Sequence, residues 1–194
     1  MKAGNQIVEK RIYDNVWTLL NKYGHKGWNM DDLARMSGVA KNTLYKIVGN
    51  KESLLSKVVF AVQDEYSAVL EQATRSDEPL KALYSLTERI PLIFERYDVA
   101  SIRELIVQYP NLAIEYNARE ERMTQALLEL YERGIKDGYV RKDIDVKFLT
   151  SLQSIVREQM IETSKTPVEM AHNLKNALII IIEGVLVREI PPCN

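Results

Sequence analysis

The chain reads as an all-α protein with a helix-turn-helix at its N-terminal end. Three observations predict this. Apolar residues recur at spacings of three and four, while the alternation of a half-buried strand is hard to find. Proline and glycine are sparse, six and eight in 194 residues, and mostly fall between the apolar runs. Two short helical runs, about 30–36 and 41–48, flank the segment Ser37-Gly38-Val39-Ala40.

Taken in order, Ile12, Val16, Leu19, Leu20 and Tyr23 share one face of a first helix over about 6–23. Gly24 and Gly27 bracket the short connection after it. Asn29 suits an N-cap, and Asp31 and Asp32 fall in the next first turn, where the helix dipole favours negative charge. Gly49 ends the third helix, and Asn50 can cap a fourth running to about Thr74. The fourth keeps Leu54, Leu55, Val58, Val59, Val62, Tyr66, Val69 and Leu70 on one face, and its length suits a connection between two domains, 1–51 and 52–194. Ser76-Asp77-Glu78-Pro79 reads as a loop in which Pro79 opens a helix, and Pro91 is expected to kink or break that helix. Asp98 caps a segment to Tyr109, Pro110 opens a helix to about Lys136, and Asp137-Gly138 makes a turn. The last two helices span about 146–163 and 167–189, the second stopped by Pro191-Pro192.

Composition suits a soluble globular protein, with 46% apolar and 27% charged residues. The net charge is −1, but residues 1–51 carry nine Lys and Arg against four Asp and Glu. A basic end on a near-neutral chain is what a local nucleic-acid contact needs, because cations displace the counterions of phosphates. The one cysteine, Cys193, permits no intrachain disulfide framework, and MKAGNQIVEKR has no apolar core of a secretion signal, so a cytoplasmic location is expected. The most apolar stretch, 177–187, is too short to span a bilayer and carries Glu183, so no membrane is expected as a partner.

Ala34, Gly38 and Leu44 carry the helix-turn-helix. Ala34 offers a small side chain where the second helix crosses, Gly38 supplies the positive φ of the turn, and Leu44 returns an apolar side chain to the core. On the outward face of the second short helix, Lys41, Asn42, Thr43, Tyr45 and Lys46 all donate hydrogen bonds and none is acidic. Such a face suits the major groove of double-stranded DNA, with its first residues near base edges and the others on phosphates.

The series Gly24-x-x-Gly27-x-Asn29-Met30-x-x-Leu33-Ala34-x-x-x-Gly38-Val39-x-x-x-Thr43-Leu44-Tyr45-x-x-Val48-x-Asn50-Lys51-x-x-Leu54-Leu55 resembles the DNA-binding region of the TetR family of repressors, over about 7–59. It departs from many members at Asn29 (often Thr), Lys46 (often Tyr or Trp), Ile47 (often His) and Val48 (often Phe). The resemblance implies that Asn29 and the free N–H groups of its helix meet a phosphate, and that Lys41, Asn42 and Thr43 lie nearest the bases. It further implies that Tyr45, Lys46 and Lys51 hold the DNA backbone. It implies a C-terminal helical domain for ligand binding and dimerisation. The segment from Gly134 to Asp145 resembles a connection that commonly precedes the dimerising helices.

Within that domain two apolar stripes are the candidates for a homodimer interface. One is Leu149, Leu152, Ile155, Val156 and Met160; the other is Leu174, Leu178, Ile181, Ile182, Val185 and Leu186. Packing of both stripes inside one chain is the alternative. For an unknown small-molecule effector, Tyr66, Tyr84, Phe94, Tyr97, Tyr109, Tyr116 and Met123 are candidate lining residues. Arg103, Gln108, Asn117, Gln125, Gln153 and Arg157 are candidate polar contacts.

No metal, cofactor or enzyme activity is expected. His25 and His172 lie far apart in different expected domains, and no phosphate loop, nucleophile elbow or acid–base pair stands out. Glu120-Glu121 reads as part of a charged helix face. The expected function is a sequence-specific transcriptional regulator, a ligand-responsive repressor acting as a homodimer on a palindromic operator. A DNA-organising or assembly protein of the same fold, or an activator, is the alternative.

Overall fold

The computed structural model describes residues 3–187, and the expected helix end at Glu189, the Pro191-Pro192 stop and Cys193 lie outside them. The described residues form helices α1 (Ala3–Tyr23), α2 (Met30–Ser37), α3 (Lys41–Val48), α4 (Lys51–Thr74), α5 (Pro79–Arg96), α6 (Val99–Gln108), α7 (Pro110–Lys136), α8 (Val146–Thr163) and α9 (Pro167–Val185). The fold is all-α. None of these helices is long and apolar enough to cross a membrane.

Packing divides the chain into two compact units, residues 1–64 with 97–118, and 65–96 with 119–194. The division by task, 1–51 and 52–194, is a separate matter and stays a proposal.

In the first unit, Ile12, Val16, Leu33, Ala34, Leu44, Val48, Leu54 and Leu55 are buried. Burying each of the larger of these contributes about 1.5–3 kcal/mol. The caps explain where the short helices start and stop. Asn29 Oδ1 accepts from the amides of Asp31 and Asp32, and the Asp32 carboxylate accepts from the Asn29 amide, closing a capping box. At the other end of α2, Gly38 takes φ +62°, its amide bonding to the Arg35 carbonyl and that of Val39 to the Ala34 carbonyl. Asn50 accepts from the Ser53 amide and so caps α4. Between α1 and α2, a Cβ on Gly27 would stand 2.2 Å from the Tyr23 carbonyl oxygen, so only glycine fits there. Tyr23, expected on the buried face of α1, is exposed, because the chain turns away one residue later.

In the second unit, α5 and α9 form the most extensive helix pair, with α8 also against α9. Pro91 neither breaks α5 nor ends it; the helix runs through to Arg96 and buries the proline among apolar neighbours. Arg133 on α7 donates to the carbonyls of Thr74 and Ser76 and so pins the turn after α4. Gly134 is crossed closely by Val140, and an antiparallel bridge between Val140 and Leu186 meets the end of α9. The Arg141 amide bonds to the Val185 carbonyl, and the Val187 amide to that of Tyr139. Extended backbone at Leu186 thus ends α9 at Val185, earlier than the sequence suggests.

Much of the expected dimer face packs within the single chain. Leu149, Leu178, Ile182 and Val185 are buried within the chain, and Leu152 and Val156 are half-buried. The stripe on α9 faces its own unit, which buries Leu174, Leu178, Ile182 and Val185 and leaves Ile180 outside. The apolar residues left outside on α8 and α9 include Phe148, Ile155 and Ile180, each at least 66% exposed.

Candidate nucleic-acid interface and ligand cavity

Leu44 and Val48 anchor α3 inward, and that fixes what faces out. Lys41, Asn42, Thr43, Tyr45 and Lys46 are all exposed. Ala40 precedes the helix in an extended conformation and provides no side-chain cap, and the first turn has no acidic residue. The leading amides of α3 are thus served by no capping side chain, a ready anion site at the positive end of a helix.

The cations of the expected interface are not equivalent. Lys41 lies 2.7 Å from Asp31, and the hydrogen bond to that carboxylate raises its pKa above the ordinary lysine value. Both side chains are more than half exposed, so the pair is a weak one. Lys46 has no such carboxylate partner among the described residues. Lys51 is turned inward: its ammonium donates to the carbonyls of His25 and Trp28 and lies 4.0 Å from the centre of the Trp28 ring. Desolvation by burial lowers its pKa, with Asp32 opposing. Lys51 therefore braces the connection between α1 and α2, a role the sequence pattern does not distinguish from phosphate binding. The capping box likewise occupies two of the α2 amides expected to be free for a phosphate, so Asn29 is first a cap.

The expected effector residues separate into two groups. Tyr66, Met123 and Gln153, with Arg157, line one cavity of about 40 Å³ in the second unit. Phe94 stands behind Tyr66, edge to face at 6.1 Å, and Tyr84 is exposed and bonded to Glu183. Tyr97 packs against Trp17 with the rings tilted at 43° and their centres 4.9 Å apart in the first unit, which also contains Tyr109 and Tyr116. Arg103, Gln108, Asn117 and Gln125 are exposed.

The cavity walls are Leu86 and Ile90 from α5, Leu127 from α7, and Leu174, Leu178 and Ile182 from α9. Its polar part has two pieces. Gln153 Nε2 donates to the Tyr131 hydroxyl at 2.7 Å, both residues being buried, while Gln153 Oε1 has no hydrogen-bond partner among the described residues. Burial pushes the Tyr131 phenol well above the ordinary tyrosine range despite the Gln153 bond, so it stays protonated. Close by, Arg157 pairs with Glu120 at 2.5 Å, both mostly buried, with the guanidinium 6.0 Å from the Tyr66 ring. Burial raises the Tyr66 pKa, the Arg157 charge opposing. Glu120 is thus a cavity residue and not part of a solvated face, because Arg157 neutralises it; Glu121 is exposed.

The sequence pattern does not single out Tyr131, and it places Glu120 on a charged face. The available signal was their spacing: Glu120, Thr124, Leu127 and Tyr131 recur at four, three and four along α7 and line the cavity together. Among the described residues, no group of three or more His, Cys, Asp or Glu is placed to hold a metal ion.

No protein-family model and no curated protein matches the sequence. Solved structures do match. The TetR family transcriptional regulator PfmR from Thermus thermophilus aligns at a TM-score of 0.75 and 22% identity, over 89% of this chain and 97% of that one. A TetR transcription regulator from Haloarcula marismortui aligns at 0.77 and 13%, over 94% and 100%. SmeT, the repressor of the Stenotrophomonas maltophilia multidrug efflux pump SmeDEF, aligns at 0.75 and 13%, over 95% and 94%. With these alignments, the helix order and the turn at Gly38, the chain has the fold of the TetR-family transcriptional regulators.

Proposed function

We propose that the chain is a DNA-binding transcriptional regulator, a repressor that acts in the cytoplasm as a homodimer on a palindromic operator and is released by a small molecule. The observation that carries this reading is the α3 face: five exposed hydrogen-bond donors, no acid, and an uncapped N-terminus, held in place by Leu44 and Val48. Placed in a major groove, Asn42 and Thr43 reach base edges, while the leading amides, Tyr45 and Lys46 meet phosphates. The fold shared with regulators that include a repressor supports the same reading.

A homodimer supplies two such heads for half-sites a helical turn or more apart. Phe148, Ile155 and Ile180, apolar and exposed on α8 and α9, are the residues proposed for its interface. The cavity between α5, α7, α8 and α9 is proposed as the effector site. A ligand bound there acts by favouring one conformation of the protein over another, and so shifts the population of DNA-competent dimers. The helices α4 and α7 each contribute residues to both units, which makes them the proposed levers. The reading requires no cofactor and no catalysis.

A footprint on the DNA upstream of the chain's own gene tests the proposal. A protected segment with two-fold sequence symmetry, lost in Thr43→Ala or Lys46→Ala, is expected. Uniform coating without a sequence boundary would favour a DNA-organising protein, and absence of binding would reject the reading.

A further inference from the structure

We propose that the cavity takes a neutral, largely apolar molecule carrying one hydroxyl or carboxamide group, seated on the Gln153–Tyr131 pair. This rests on the reading of the cavity as the effector site and goes further, to the chemistry of the effector.

Gln153 and Tyr131 are both more than nine-tenths buried, and their mutual bond leaves polar capacity unused. With Gln153 Nε2 donating, Oε1 remains an open acceptor and the Tyr131 O–H an open donor. Turning the amide end for end lets Tyr131 donate to Oε1; the amide N–H groups then become the open donors and the phenolic oxygen the open acceptor. Either way the pair offers at least one donor and one acceptor side by side. An ether or ketone answers only the donor, and a hydrocarbon answers neither. A hydroxyl or carboxamide answers both, and leaving a buried polar group unanswered is costly.

The rest of the cavity selects against charge. Arg157 and Glu120 already neutralise one another, with Glu158 4.0 Å from Arg157, so an ionic ligand meets no uncompensated charge in return for losing its hydration. Beside the polar pair the lining carries the hydroxyl side chains of Thr124, Thr150 and Ser154, Thr150 bonded to the Lys147 carbonyl, and its remaining walls are largely apolar. A volume of about 40 Å³ accommodates about three waters, so a larger ligand has to displace lining side chains. Met123, buried and unbranched, is the most adaptable of them.

The test uses the full-length protein and four probes of matched length: 1-octanol, methyl heptyl ether, octanoate and octylammonium, followed by isothermal titration calorimetry. 1-Octanol is expected to bind about ten-fold more tightly than the ether and both ions. In the double variant Gln153→Leu/Tyr131→Phe, which removes the open donors and acceptors of the pair together, the preference for alcohol over ether should fall to within about two-fold. Circular dichroism checks that each variant is folded. Equal affinities for alcohol and ether, tighter binding of either ion, or a preference that survives the double variant would overturn the proposal. If Leu178→Trp then abolishes binding, the cavity stands as a ligand site and only its assigned chemistry fails. If no probe binds the unaltered protein, or if Leu178→Trp leaves binding intact, the effector-site reading falls with it.

Discussion

Replacing Lys51 by methionine separates two roles that the sequence alone leaves equivalent. The substitution keeps the aliphatic stem and removes the ammonium. In the folded chain that ammonium donates to the carbonyls of His25 and Trp28 and lies over the Trp28 indole. Each charged hydrogen bond is worth about 1.5–3 kcal/mol and the ring contact about 0.5–2 kcal/mol. Lys51 is only part-buried, so water replaces some of what is lost, and the desolvation that lowers its pKa offsets part of the gain. A net loss of about 1.5–3 kcal/mol follows, equivalent to a fall in Tm of about 3–12 °C for a chain of this size. Urea denaturation at fixed protomer concentration measures it. The second readout is operator affinity against salt for the folded variant. A phosphate ligand contributes about 0.9 to the slope of log K on log salt, and Lys51 as a structural brace contributes none. Unchanged stability together with a slope reduced by about 0.9 per protomer would refute the brace and restore Lys51 to the interface.

The other predictions concern the head and the dimer. Lys46→Ala should flatten the salt slope by about 0.9 per protomer. Lys41→Ala should flatten it less, because Asp31 already holds that ammonium and is itself freed when the lysine goes. Gly38→Ala should cost about 1–2 kcal/mol in urea denaturation. The cost is backbone strain at φ +62°, since an added Cβ would meet nothing within 4 Å. Ile180→Glu should convert the proposed dimer to a monomer in analytical ultracentrifugation with helicity retained, because Ile180 is 72% exposed in the single chain. A dimer that persists would place the interface elsewhere.

Sequence by itself determined the local part of this protein. Asn29, Gly38, Asn50, Asp98 and Pro110 mark helix ends because caps and special φ values act within a few residues, and the observed bounds of α3, α4 and α8 match those expected. The face of α3 was legible for the same reason: Leu44 and Val48 at a spacing of four must point one way, so Asn42, Thr43 and Lys46 point another, whereas Lys41 shares their stripe and is exposed as the first residue of the helix. Tertiary structure decided what each face meets. Periodicity cannot say whether the apolar stripe on α9 packs within its chain or against a second one, and most of that stripe packs within. It cannot show that Lys51 finds two carbonyls more than twenty residues away, or that Glu120 finds Arg157 on another helix. Nor can it show that Gln153 and Tyr131 share one bond in a cavity where neither is fully answered. Those are choices among distant partners, and burial is what settles them, because a polar group removed from water must take whatever partner the fold brings within reach.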